Sequence, residues 1–408
     1  MTGVAPAAIA LVPRMVPEAG DLKANTLAFL RNHLDMDIAF LSEIKGHQME
    51  LRAVDAPGFE HFASVGDVFE LDEVYCLHIL EGRLPELIRD TKDIPLCDEI
   101  AFTSQIPVRA HVSVPIWRTD KSVYGMFCIL GRSPRLSLNN RDLEVVKAFA
   151  ALVADDVNTT LDGEEQTIAK RNAIEDIRRT GAFDISLQPI QCLKDQSIAG
   201  YEALCRFEHV PYRPPNLWFQ DAADVGLQVQ LELDVIERAF GLLPDMPPDC
   251  YLSVNTSAKT LATGQIASLV PDRDGRNIIM EITEHSAIED LDVLLMEIDR
   301  LRDMNIRIAV DDAGAGYSGL QQIIRLRPDV IKLDMSLTQN VDQDVARRSL
   351  ASAMVKFAAD TQAKVVAEGI ETEAERQTLR RIGVELGQGY HLGRPTPARD
   401  VLNKIKSA

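Results

Sequence analysis

The chain has 408 residues, of which 46% are hydrophobic and 26% charged, and its formal net charge is -19. That length exceeds one ordinary core, so two or more domains are expected, and the balance excludes wholesale disorder. The acidic excess excludes a duplex nucleic-acid surface, which Lys and Arg must supply, yet it leaves room for a phosphate held through a metal. The cysteines at positions 76, 97, 128, 192, 205 and 250 form no CxxC pair and read as buried thiols in a reducing compartment. No apolar run approaches the roughly 20 residues of a membrane span. The mildly apolar stretch from Ala5 to Val12 follows no basic residue, so no signal peptide is expected. The expectation is a cytoplasmic protein with neither a membrane nor a nucleic-acid polymer as partner.

Residues 1–20 hold Pro6, Pro13 and Pro17 among small residues and predict a poorly ordered lead-in. Residues 21–158 mix helical and strand periods. Leu27, Leu30 and Leu34 mark a helix face, 38–41 a buried strand, and 110–116 and 123–130 two strands joined by a turn at 118–121. This α+β order, with the stretch Glu81-Gly82-Arg83-Leu84-Pro85-Glu86-Leu87-Ile88, resembles a GAF sensory domain. The resemblance implies a small sheet-centred module that takes an unspecified signal ligand. Cys76-Leu77-His78 within it reads as a buried cysteine beside a partly exposed histidine, with no ligand assigned.

A helical stretch follows over 140–180. Leu143, Val146, Phe149, Leu152, Val153 and Val157 make its apolar stripe, and charges dominate from Glu164 to Arg179. Its second part, 159–180, is a linker with two open readings: a solvated connection, or a signalling helix paired with its twin in a homodimer.

From Gly181 the rhythm changes to short apolar strands alternating with amphipathic helices. Strands are predicted at 184–188, 200–204, 251–255, 278–282, 306–310, 330–334, 363–368 and 389–392. After the first two, their spacing suits strand–helix units, and so many in one stretch predict a TIM-like (β/α) barrel over 181–408 rather than an open sheet.

What ends these strands carries the chemistry. Glu202, Asn255, Glu281, Asp311 with Asp312, Asp334 and Glu368 each fall at or beside a strand's C-terminal end. In a barrel those ends converge on one mouth. Crowded carboxylates repel one another, and divalent cations relieve the conflict. An oxygen-only set favours Mg²⁺ or Mn²⁺ over zinc. Any single acid of the set could instead cap the next helix; repetition strand after strand, with Lys332 among them, argues for a shared site.

The motifs themselves resemble the EAL family of cyclic di-GMP phosphodiesterases. Gln188-Pro189-Ile190, Glu202-Ala203-Leu204-Cys205-Arg206 and Ser253-Val254-Asn255-Thr256-Ser257 open the series. Glu281-Ile282-Thr283-Glu284, Asp311-Asp312-Ala313-Gly314-Ala315-Gly316-Tyr317-Ser318 and Ile331-Lys332-Leu333-Asp334 continue it. Ala367-Glu368-Gly369-Ile370-Glu371-Thr372 and Gly387-Gln388-Gly389-Tyr390 close it.

The resemblance implies two cations. Glu202, Asn255, Glu281 and Asp311 would hold one; Asp311, Asp312 and Glu368 the second. A water between them would attack one phosphodiester in line and give linear pGpG. Lys332 would assist proton transfer or steady that water, with Asp334 positioning it. Arg206 offers its planar fork to a phosphate oxygen. Gln188, Glu371 and Gln388 would contact the ligand or its surroundings, and Glu284 would support the loop after Asp311. The small residues Ala313, Ala315 and Gly319 depart from the commonest family form of that loop.

Two other readings stand beside this one: a receptor that binds cyclic di-GMP without cutting it, and a phosphodiesterase for another cyclic dinucleotide. Gly314, Gly316 and Gly319 form no P-loop, since no Gly-Lys-Ser/Thr follows. No diguanylate cyclase motif occurs, and His209 and His285 read as surroundings of the site.

Overall fold

Strands buried on both faces build two separate sheets. The computed structural model describes residues 22–208, 212–271, 275–282, 290–313 and 323–407. It divides into two units, Met1–Glu165 and Gln166–Ala408. In the first unit, β1 (Ile38–Lys45), β2 (Gln48–Asp55), β3 (Val68–Glu70), β4 (Leu87–Ile88), β5 (Ala110–Trp117) and β6 (Val123–Gly131) form one antiparallel sheet in the order β3-β2-β1-β6-β5-β4. Period-2 alternation gives each strand two faces. Val112, Val114 and Ile116 face a core shared with Leu27, Leu30, Val146 and Val153 of the helices Leu22–His33 and Asn140–Thr180. Met126 and Cys128 face the other core, with Tyr75, Cys76 and Ile100. The expected turn at 118–121 is present: Arg118 N–H donates to Ser122 O at 2.8 Å, and Lys121 takes a φ of 70°.

His78 corrects an expectation. It is buried, only 8% exposed, and its Nδ1 has no hydrogen-bond partner. The helix Tyr75–Leu80 ends two residues later, and Arg83 N–H and Leu84 N–H fold back to donate to the His78 carbonyl. All six cysteines are free thiols.

In the second unit, β7 (Phe183–Cys192), β8 (Ile198–Phe207), β9 (Tyr251–Thr256), β10 (Ile278–Ile282), β11 (Arg307–Ala313), β12 (Val330–Leu333), β13 (Lys364–Ala367) and β14 (Leu386–Gly387) close into a barrel. From β8 to β14 each pair is parallel. The first strand breaks the pattern. β7 is antiparallel to both β8 and β14, so Phe183, opposite Phe207, begins at the rim where β8 ends. The short β15 (Thr396–Pro397) pairs with β7 outside the ring.

Inside the bore, Ile190, Tyr251, Ile279, Ala309, Val330, Val366 and Leu386 pack as an apolar plug. Two residues further along their strands stand Glu281, Asp311, Lys332 and Glu368. Strand alternation therefore lifts a polar layer directly above an apolar one, and the plug denies water an approach from below.

The strand predicted at 389–392 is not formed; the two-residue β14 precedes it. The reason is Gly389, at φ 155°, where the backbone turns against Ile370. His391 N–H donates to Ile370 O at 3.0 Å, and a Cβ on Gly389 would lie 2.2 Å from the Ile370 backbone. Gly389→Ala is therefore expected to destabilise the barrel by about 3 kcal/mol through forced backbone displacement. Urea unfolding checks this; wild-type stability would show that the loop yields freely.

Candidate active site

Lys332 is 1% exposed, a position where an unpaired ammonium would be costly. Its Nζ lies 2.7 Å from Glu281 Oε2, 2.7 Å from Glu368 Oε1, 3.1 Å from Asp311 Oδ1 and 3.7 Å from Glu202 Oε1. Burial opposes its charge, but the surrounding carboxylates outweigh burial and raise its pKa well above the usual lysine range. The acids respond in the opposite sense. Burial pushes Glu281 well up, against the pull of Lys332, and pushes Glu368 up to about 8. Four carboxylates against one ammonium leave three negative charges uncompensated when all are ionised.

Neutral donors orient the acids. Asn255 Nδ2 donates to Glu202 Oε1 at 2.8 Å, and Gln388 Nε2 donates to Glu202 Oε2 at 2.6 Å and to Gln188 Oε1 at 2.9 Å. Ser253 Oγ donates to Glu281 Oε1. Asp311 Oδ1 and Gln388 Oε1 are buried and accept no hydrogen bond, although Lys332 stands near the former.

Gln188, Glu202, Asp334, Glu368, Glu371 and Gln388 line one cavity of about 340 Å³ at the mouth, with Met335, Gln339, Gly369, Gly389 and Tyr390. Asp334 also caps the helix Met335–Thr338 by accepting from Ser336 N–H at 2.9 Å, so a place at the site and a capping role hold together. Glu371 Oε1 accepts from Gln339 Nε2 at 3.3 Å. Arg206 is not part of this lining; its Nη1 donates to the Cys205 carbonyl at 2.8 Å, and it stands opposite Asp184 on the β7–β8 ribbon. Asp312 lies in β11, but its side chain is outside the described set, as are Glu284, His209, His285 and the loop residues 314–322. Sequence reasoning missed Gln339, Met335 and Tyr390 as cavity walls. For Met335 and Tyr390 a position just past a strand end was the available signal; Gln339 follows the helix Met335–Thr338 and had none.

Two family models match this chain: an EAL domain over residues 171–395 and a GAF domain over 21–156. The chain belongs to the EAL domain family. One relative is the bifunctional diguanylate cyclase/cyclic di-GMP phosphodiesterase MucR of Pseudomonas aeruginosa, 31% identical over 53% of this chain and 34% of that protein. The chain spans about a third of the length of such curated relatives. The solved PaMucR phosphodiesterase, a c-di-GMP complex, is 30% identical, with a TM-score of 0.51 over 58% of this chain and 99% of that one. The EAL enzyme Bd1971, with cAMP and cyclic di-GMP bound, shares the fold at 18% identity, with a TM-score of 0.56 over 90% of this chain and 93% of that one. Among the described residues no helix is long and apolar enough to cross a membrane.

The EAL acids fit divalent cations on their own chemistry. The donor set is all oxygen, it carries excess negative charge, and Asp311 Oδ1 is an acceptor without a hydrogen bond. Among the described residues no three His, Cys, Asp or Glu side chains already form a cage, because the Lys332 ammonium stands between them. Removing that ammonium leaves the acids to repel one another in a buried layer. In chelator, Lys332→Met is expected to lose about 3 kcal/mol of unfolding free energy, with Mn²⁺ restoring much of it. Denaturant titrations with and without metal check this; equal stability in chelator would show that Lys332 does not hold the layer together.

Proposed function

We propose that this EAL chain hydrolyses one phosphodiester of cyclic di-GMP to linear pGpG. The observation that carries the reading is the intact acidic layer around buried Lys332. Its charge excess suits metal-assisted phosphodiester chemistry, and the relative MucR is a bifunctional diguanylate cyclase/cyclic di-GMP phosphodiesterase. Mg²⁺ or Mn²⁺ would be held by Glu202, Asn255, Glu281 and Asp311, and by Asp311, Asp312 and Glu368. When bound, such cations supply positive charge to the phosphate oxygens and acidify water.

The remaining work falls to the side chains. Asn255 and Gln388 hold both oxygens of Glu202 in fixed directions, so little reorganisation is left for the reaction. Lys332, kept protonated by its neighbours, donates a hydrogen bond toward the reacting oxygens and is placed to deliver a proton. Asp334 fixes the turn after Lys332 through its helix cap. Gln188, Glu371 and Gln388 present polar groups to the ligand from the cavity wall. Arg206 is suited to a phosphate oxygen at the rim, and Glu284 would have the loop-supporting role that the family resemblance implies. In the balanced reaction water adds to phosphorus, the P–O3′ bond breaks, and O3′ leaves as a hydroxyl after gaining a proton. The GAF domain is assigned control of the rate, leaving the product unchanged.

Incubation with cyclic di-GMP and Mg²⁺ or Mn²⁺, with and without chelator, is expected to give metal-dependent pGpG on chromatography. Tight binding of uncut cyclic di-GMP without product would favour the receptor reading. Glu202→Ala should lose most turnover. Lys332→Ala should still bind the nucleotide while chemistry slows about 10²–10⁴-fold; normal turnover would reject the proton role. Deleting residues 1–160 should change the rate alone, and an unchanged rate would remove the GAF domain from control.

A further inference from the structure

Among the neutral donors around the acids, Ser253 is assigned to neither the cations nor the nucleotide, yet it is 1% exposed. It stands on β9 two residues before Asn255, so alternation turns both side chains into the bore. In register it lies beside Glu202 of β8 and Ile279 of β10. Its hydroxyl donates to Glu281 Oε1, while Lys332 Nζ contacts the other oxygen, Oε2, at 2.7 Å. On the other side Glu281 lies in register with Ala309 of β11, whose side chain carries no polar group to hold the carboxylate. The terminal torsion of a glutamate is soft, so Glu281 would not hold one orientation by rotamer preference alone.

We infer that Ser253 is a positioning residue for the cation site: by holding Glu281 Oε1 from below while Lys332 holds Oε2, it fixes the orientation of a carboxylate that would bind the cation. The inference rests on the metal-dependent reading above. Outer hydrogen bonds to a ligating carboxylate typically change metal affinity about 10–100-fold when removed. Ser253→Ala removes the donor without adding volume. Ser253→Thr restores a hydroxyl at the same Cβ.

Mn²⁺ binding to the full chain is measured by calorimetry for the wild type and both variants, alongside their unfolding and their kcat and KM at several Mn²⁺ concentrations. The expected result is Ser253→Ala folded but binding Mn²⁺ about tenfold more weakly. Its kcat should fall at low Mn²⁺ and recover at high Mn²⁺, with the KM for cyclic di-GMP unchanged, and Ser253→Thr should regain affinity. Wild-type Mn²⁺ affinity in Ser253→Ala would overturn the inference, and so would a loss of stability with affinity intact. A wild type that binds no Mn²⁺ would instead overturn the functional reading on which the inference stands.

Discussion

The molecule depends on one unequal arrangement: a single buried ammonium facing four carboxylates. Lys332 is too deep to remain charged by itself, and the acids are too close to remain ionised together. Each makes the other tolerable, but incompletely. The incompleteness leaves the barrel mouth with an excess of negative charge that a divalent cation would relieve. A perfectly neutralised layer would be a stable plug with nothing left to bind. Here the apolar residues beneath, such as Val330 and Val366, keep water from dispersing the charge downward, so the imbalance is presented at the open face.

The layer also shows how strand geometry becomes chemistry. Parallel neighbours in register place Glu281 beside Asn255 on one side and Ala309 on the other. The amides of Asn255 and Gln388 then donate to Glu202, and Gln388 also to Gln188. Neutral donors of this kind hold a carboxylate without adding charge, which suits a site already over-supplied with anions.

Much of this is legible in the sequence because it obeys two simple periods. The run from Tyr251 to Asn255 alternates, and an acid or amide ending such a run points into the bore. Alternation and strand order alone therefore gather Glu202, Asn255, Glu281, Asp311, Lys332 and Glu368 at one mouth. The strand expected at 389–392 does not form because the apolar stretch after Gly389 has only the composition of a strand, whereas the close approach of Ile370 is a tertiary fact. The burial of His78 escapes a sequence reading for a similar reason: the chain after it turns back onto the His78 carbonyl, which no local period reports. Ser253 lies inside a motif that gives it no task, since a serine in a buried strand has no signature until its acceptor is known. Asp312 and Glu284 remain matters of motif, their side chains lying outside the described set.

The reversed first strand has a consequence for how the barrel is addressed. In an all-parallel barrel the chain would enter at the floor, with the whole depth of the bore between entry and mouth. Because β7 runs the other way, the helix Asn140–Thr180 hands over to Phe183 at the rim itself. The next residue, Asp184, faces Arg206. A twist at the end of that helix therefore arrives beside the mouth after only residues 181–183. The mouth hangs on its own tether, and a movement at the end of the helix would reach it without passing through the core.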